Sequence, residues 1–125
     1  MGGDQKKILI VDDDEAMAKA IKRTLSLENK YDLKVAYDGL EAVQYFMEGK
    51  PDLVILDLRM PRVDGYKLCT AIRNDPDNKG VKILVVSAVI NAANQGEIKR
   101  MGVEDTLQKP FDNNVLKAKV EQLIG

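Results

Sequence analysis

The stretch PDLVILDLRMP, residues 51–61, places an aspartate directly after a run of apolar residues. The run Leu53 to Leu56 is continuous, and such a run predicts a strand that is buried on both faces of a sheet. Asp57 follows at once, and a loop that begins with a proline comes soon after it. A buried carboxylate is costly unless a neighbouring group interacts with it. We therefore expect Asp57 to have partners and a use at the end of this strand.

Short apolar runs of this kind recur along the chain and alternate with helical patterns. Five alternations of strand and helix predict an α/β fold, with a parallel sheet and helices on both of its faces. The predicted strands are Ile8–Val11, Leu33–Ala36, Leu53–Leu56, Ile83–Val86 and, more weakly, Thr106–Leu107.

The helical patterns carry apolar residues that are three or four positions apart. The fourth pattern is the weakest, and the methionines at 17, 47 and 101 are expected in the core. The five sets are Met17, Ala20, Ile21 and Leu25; Leu40, Val43, Phe46 and Met47; Tyr66, Leu68, Cys69 and Ile72; Ala92, Ala93, Ile98 and Met101; and Val115, Leu116, Val120, Leu123 and Ile124.

Length and composition narrow the class of protein. The chain has 125 residues, so we expect a single domain over 1–125, with residues 1–5 flexible. A net charge of −1 argues against nucleic acid or an anionic membrane as the direct partner. No apolar stretch is long enough to cross a bilayer. The single cysteine, Cys69, suits a reducing compartment, which predicts a cytoplasmic location.

The sequence contains no histidine. This excludes the Ser-His-Asp triad, the Cys-His pair and zinc sites that are built on histidine. Any chemistry must therefore come from carboxylates, lysines, hydroxyl groups and the backbone.

Polar residues follow four of the five predicted strands. In open α/β sheets, ligands bind beyond the carboxyl ends of the strands, so these residues should meet at one edge. Each residue alone has an ordinary structural explanation, and Asp14 is expected simply to cap the first helix. Four such coincidences at one edge favour a functional site. The residues concerned are Asp12 and Asp13, Asp57, Ser87 and Lys109.

The chemistry of this set indicates phosphoryl transfer. Carboxylate ligands without histidine or thiolate suit a hard divalent cation, of which Mg2+ is the first choice in cytosol. A carboxylate beside such an ion can act as a nucleophile toward phosphorus. The metal, a lysine and a hydroxyl group then supply neutralisation and positioning. The sequence therefore predicts Asp57 as a phosphoryl acceptor.

Four motifs together resemble the receiver domain of two-component response regulators. They are ILIVDDDE at 8–15, LVILDLRMPRVDG at 53–65, ILVVSA at 83–88 and LQKPF at 107–111. The resemblance covers nearly the whole chain and implies a CheY-like, flavodoxin-like doubly wound sheet of strand order 2-1-3-4-5.

The resemblance also implies a role for each site residue. It makes Asp57 the phosphoacceptor, and Ser87 the hydroxyl that follows the phosphoryl group and acts with residue 106 as a switch. It implies a cis bond between Lys109 and Pro110, and a turn glycine at Gly65. The metal ligands would be Asp12, Asp13, Asp57 and the backbone carbonyl of Arg59, and Lys109 would pair with the phosphoryl group.

Two positions affect how such a switch would work. The family often has an aromatic residue where this chain has Thr106, and Thr106 cannot fill the space of a ring. We therefore expect a smaller output change, or one carried by the backbone between Ser87 and Asn94. Arg59 and Val89 match positions that set the lifetime of the phosphoryl group in the family. Val89 cannot hydrogen-bond an attacking water, which predicts a long-lived phosphoprotein.

The family implies partners as well. The phosphoryl donor would be a sensor histidine kinase or a histidine phosphotransfer protein. The output surface would be the fourth helix, fifth strand and fifth helix, with a transient dimer on phosphorylation left open. The chain would catalyse only its own phosphorylation and dephosphorylation. It would act on a downstream protein or an output domain, and the sequence does not decide between them.

Two other classes of function compete with this interpretation. Haloacid dehalogenase-like phosphatases also form an aspartyl phosphate, but they need an aspartate two residues after the nucleophile, where this chain has Arg59. A pseudo-receiver would bind partners without ever taking a phosphate, and the full set of acceptor, acids, hydroxyl and lysine argues against it.

Overall fold

The computed structural model describes residues 5–60 and 64–125. The expected flexible start therefore lies outside the described residues except for Gln5, as do residues 61–63 of the loop after Asp57. The elements in chain order are β1 Lys6–Val11, α1 Glu15–Ser26, β2 Tyr31–Ala36, α2 Gly39–Glu48, β3 Leu53–Leu56, α3 Gly65–Asn74, a short 3-10 helix Pro76–Asn78, β4 Lys82–Ser87, α4 Gln95–Arg100, β5 Asp105–Gln108 and α5 Asn113–Ile124.

The five strands form one parallel sheet of order β2-β1-β3-β4-β5, which confirms the predicted fold class. In register, Ile10 of β1 lies between Val35 of β2 and Ile55 of β3. The order reverses between β1 and β3, because the chain first adds β2 on one side and then β3, β4 and β5 on the other. In doubly wound sheets, the crevice at this reversal is where ligands bind.

The sheet is covered on both faces, so β3 is buried throughout, as its apolar run predicts. Val54 and Leu56 point into a core shared with α2, α3 and α4. Leu53 and Ile55 point into a second core, shared with α1 and α5. Each side chain of this size contributes about 1.5–3 kcal/mol when fully buried. The carboxyl ends of the strands are therefore supported by a packed core on each face of the sheet.

An aspartate lies immediately before most of the α-helices and caps it. The side chains of Asp14, Asp38, Asp64 and Asp112 each accept a hydrogen bond from a backbone N–H in the first turn of α1, α2, α3 and α5. These bonds satisfy donors that the helix itself cannot pair. Asp14 is thus the helix cap that the sequence predicts. Asn94, which precedes α4, makes no such cap bond.

Two expectations about the helices are wrong. The fourth helix begins at Gln95, and Ala92 and Ala93 lie in a turn, because the side chain of Asn91 pairs with backbone N–H groups there instead. Met47 is 82% exposed rather than in the core. It lies on the outer side of α2, whereas Ala42 on the inner side is fully buried. Met17 and Met101 are partly buried against the two cores, and Cys69 is fully buried.

Gly65 lies too close to the backbone of Asp57 and Leu58 for any side chain. A Cβ atom there would be 2.5 Å from Leu58 Cα and 2.6 Å from the carbonyl oxygen of Asp57. We expect Gly65→Ala to lower the free energy of unfolding by about 1–3 kcal/mol, because backbone must move to admit the methyl group. Urea denaturation measures this. Gly80→Ala is the matched control, since a Cβ at Gly80 meets nothing within 4 Å; equal losses in both variants would contradict the steric account.

Candidate functional site

The backbone holds the candidate residues at the carboxyl edge of the sheet. The strand-to-strand hydrogen bonds continue one residue beyond the strands themselves. Asp12 N donates to Ala36 O at 3.1 Å, and Asp57 N donates to Val11 O at 3.0 Å. Lys109 N donates to Ser87 O at 3.1 Å. These residues are therefore positioned by the sheet and not by a flexible loop.

Asp12 and Asp57 are two buried carboxylates that share one lysine. Lys109 Nζ lies 2.7 Å from Asp12 Oδ2 and 3.1 Å from Asp57 Oδ2. The other oxygen of each carboxylate accepts a backbone hydrogen bond, from Asp14 N at 3.0 Å and from Arg59 N at 3.1 Å. All four carboxylate oxygens thus have a partner, which is what allows these groups to be buried at this edge.

Burial and charge act in opposite directions on the pKa values of Asp12 and Lys109. Burial raises the pKa of Asp12 above its ordinary value, although the hydrogen bond from Lys109 opposes the rise. Burial alone would lower the pKa of Lys109, but the hydrogen bonds and charges of Asp12 and Asp57 outweigh it, so that the pKa is raised. Lys109 is therefore held as an ammonium ion between the carboxylates.

A third carboxylate completes a potential metal site. One oxygen each of Asp12, Asp13 and Asp57 lie within 4.8 Å of one another. Asp13 is exposed, so the group opens to solvent on its side. Three carboxylates with no histidine or thiolate form the donor set of a hard divalent cation such as Mg2+. The chain's own residues therefore fit that ion, and any ion held there would meet Asp57 directly.

The side chains of the predicted switch residues have hydrogen-bond partners other than this carboxylate group. Ser87 is fully buried, and its Oγ accepts a hydrogen bond from Val89 N at 3.4 Å. Thr106 is also buried, and its Oγ1 accepts a hydrogen bond from Gln95 Nε2 at 3.4 Å. The bond between Lys109 and Pro110 is cis, as the family resemblance implies.

Sequence reasoning missed the amide side chains between β4 and α4. Asn94 Nδ2 donates to Val89 O at 2.7 Å, and Asn94 Oδ1 accepts from Asn91 N at 2.9 Å. Asparagine is a preferred turn residue, so the pair Asn91 and Asn94 could have indicated a self-bonded turn. No sequence signal indicates that Gln95 reaches Thr106.

The family model for the response regulator receiver domain matches residues 8–121. The chain belongs to this family. This receiver chain is 36% identical to the response regulator MprA of Mycobacterium sp. (strain KMS) over 118 residues, which are 94% of this chain and 50% of that protein. The same figures describe its likeness to the response regulator MprA of Mycobacterium ulcerans. The receiver chain thus spans about half the length of these curated relatives.

Solved structures agree with this assignment. A signal receiver domain from Bermanella marisrubri is 36% identical, with a TM-score of 0.85 over 97% of this chain and 99% of that one. The receiver domain of a DNA-binding response regulator from Colwellia psychrerythraea has a TM-score of 0.89 at 28% identity, covering 96% and 98% of the two chains. The fold is therefore that of the receiver family.

Over residues 5–60 and 64–125, no helix combines the length and the apolar character that a bilayer span requires.

Removal of the shared ammonium should change the titration of Asp12. In Lys109→Met, we expect the pKa of Asp12 to rise further, because burial still disfavours the carboxylate while its cation is lost. Carbon NMR of the aspartate carboxyl groups measures the change. Lys119→Met is the control, since Lys119 pairs with Asp105 instead and should leave Asp12 unaffected. An unchanged Asp12 pKa in Lys109→Met would show that the ion pair does not form in solution.

Proposed function

We propose that this receiver domain, over residues 1–125, accepts a phosphoryl group on Asp57 and uses it as a signal. The observation that carries the proposal is the buried Asp57 carboxylate, which shares Lys109 with Asp12 and lies within reach of Asp13. A nucleophile, a fixed cation and a group of metal-binding oxygens are the components that phosphoryl transfer requires.

The donor in this proposal is a phosphohistidine on a sensor kinase or phosphotransfer protein. A carboxylate oxygen of Asp57 forms the new bond to phosphorus while the phosphorus–nitrogen bond breaks. The electron pair of that bond leaves with the imidazole nitrogen of the donor. The receiver contains no histidine, so the donor must be another protein or another part of a longer polypeptide.

Each surrounding group has a proposed role in that transfer. Lys109 offsets negative charge on the phosphoryl oxygens, and the Ser87 hydroxyl donates a hydrogen bond to one of them. Asp12, Asp13, Asp57 and the carbonyl oxygen of Arg59 hold Mg2+. When bound, Mg2+ neutralises the phosphoryl group and fixes its orientation.

The proposed role is signalling and not turnover of a substrate. The receiver catalyses only its own phosphorylation and dephosphorylation, and we infer that it works in the cytoplasm. Phosphorylation changes the surface of α4, β5 and α5, which controls a downstream protein or an output domain, with or without a transient dimer. A net charge of −1 supports a protein target and not direct binding to nucleic acid or a membrane.

Intact mass spectrometry after incubation with acetyl phosphate and Mg2+ tests the acceptor. We expect the wild-type chain to gain one phosphoryl group and Asp57→Asn to gain none, because the amide is a poor nucleophile. The gain should also disappear when Mg2+ is removed. Asp52→Asn is the matched control, since Asp52 precedes the same strand at its opposite end and should leave phosphorylation unchanged.

If the wild-type chain gains no mass under any condition, there are two explanations, and a second probe distinguishes between them. Beryllofluoride with Mg2+ mimics a phosphoryl group on aspartate and needs no donor protein. Binding of beryllofluoride would show that the site is competent and that only a protein donor is accepted. Absence of binding would identify a pseudo-receiver and refute the proposed function.

The phosphoryl group should persist for minutes or longer once the donor is removed. Val89 is half-buried against the core below α4, and its side chain cannot orient an attacking water. We expect Val89→Asn to shorten the lifetime, because an amide can hydrogen-bond that water. Loss of the added mass with time, without phosphatase, measures this. Val115→Asn is the control, because the Val115 side chain is exposed on the surface of α5. A wild-type half-life of seconds would contradict the expectation.

A further inference from the structure

The loop between β4 and α4, residues 88–94, is held together by short hydrogen bonds. The Asn94 side chain bonds to Val89 O at 2.7 Å and to Asn91 N at 2.9 Å. The Asn91 side chain accepts in return from Asn94 N at 3.0 Å. Gln95 N donates to Asn91 O at 3.0 Å, which ties the loop to the start of α4. The loop and Gln95 should therefore move as one unit.

Two long hydrogen bonds connect this unit to the strands beside it. At one end, Val89 N donates to Ser87 Oγ at 3.4 Å. At the other end, Gln95 Nε2 donates to Thr106 Oγ1 at 3.4 Å. Hydrogen bonds weaken well before this length, since N–H···O bonds cluster near 2.9–3.0 Å. The bonds within the unit are thus strong, and the bonds that attach it to Ser87 and Thr106 are weak.

Apolar contacts hold the unit against the core, and its most buried side chain is that of Ile90. Ile90, next to Val89, is 4% exposed and belongs to the core between the sheet and α2, α3 and α4. Gln95 is exposed except for its contact with Thr106. A small displacement of Val89 would therefore turn the loop about Ile90 and reach Gln95.

We propose that Asn94 and Gln95 couple Ser87 to Thr106, so that this chain transmits its signal through amide side chains where an aromatic ring is absent. This inference rests on the proposed function. When the Ser87 hydroxyl turns toward a phosphoryl oxygen on Asp57, Val89 N loses its acceptor. Asn94 passes the displacement of the Val89 carbonyl to the start of α4, and the bond from Gln95 to Thr106 breaks.

The coupling has a thermodynamic consequence for the phosphorylation site. If the bond between Gln95 and Thr106 stabilises the arrangement in which Ser87 bonds to Val89, its removal must favour the other arrangement. Because coupling between two sites is reciprocal, the same removal must tighten the binding of a phosphoryl mimic at Asp57. A merely structural role for Gln95 would not tighten binding at a distant site.

Titration with beryllofluoride and Mg2+, followed by fluorine NMR, tests this. Gln95→Met and Thr106→Val keep the approximate shape of each side chain but remove the donor or the acceptor. We expect each to raise the affinity about twofold, which is the low end of what one hydrogen bond contributes, because this bond is long. Gln122→Met removes a comparable exposed amide from α5 and should leave the affinity unchanged.

The double variant distinguishes one shared bond from two separate effects. Gln95→Met combined with Thr106→Val should bind no more tightly than either single variant, because both remove the same bond. In Asn94→Ala, beryllofluoride should still shift the Val89 amide signal in proton–nitrogen NMR, whereas the Thr106 response should be lost. The first two variants keep the test valid even if Asn94→Ala loosens the loop.

The outcomes separate the coupling from the function on which it rests. Wild-type affinity in both Gln95→Met and Thr106→Val, or additive gains in the double variant, would overturn the coupling. If the wild-type chain binds beryllofluoride and Asp57→Asn does not, the proposed function holds whatever the coupling does. If the wild-type chain does not bind it at all, both the proposed function and the coupling fail.

Discussion

The site depends on one ammonium group that lies between two buried carboxylates. Two negative charges at the end of a buried strand pair would repel each other and lose their hydration. Lys109 contacts one oxygen of Asp12 and one of Asp57, and backbone N–H groups take the remaining oxygens. The cis bond to Pro110 follows this lysine directly. The ammonium group and these N–H groups therefore let the two carboxylates stay close together while they are buried.

The sequence predicts the parts of the structure that one dominant force controls. The run Leu53 to Leu56 is apolar throughout because both of its faces are covered, so its burial was readable from the chain alone. Asp14 caps a helix because its side chain can reach a free N–H group in the first turn. The meeting of Asp12, Asp57 and Lys109 at one edge also follows, since parallel strands align their carboxyl ends.

Other features depend on contacts that no local pattern specifies. Met47 fits an apolar helical stripe, but only the placement of α2 against the sheet decides which side of that helix is outside. The start of α4 was misplaced because Asn91 uses backbone groups that a longer helix would need. The contact from Gln95 to Thr106 joins two exposed or weakly patterned segments, so tertiary packing alone determines it.

The three strands that supply Asp12, Asp57 and Lys109 are spread over almost the whole polypeptide, and β3 lies between β1 and the later strands. The carboxylates and the lysine can meet only after β1, β3, β4 and β5 are paired in register. A chain that has emerged only in part from the ribosome, or one that has lost its last strand, cannot assemble this group. The carboxylate–lysine group is therefore a property of the completely folded chain, and a copy that lacks any of these strands lacks the group as well.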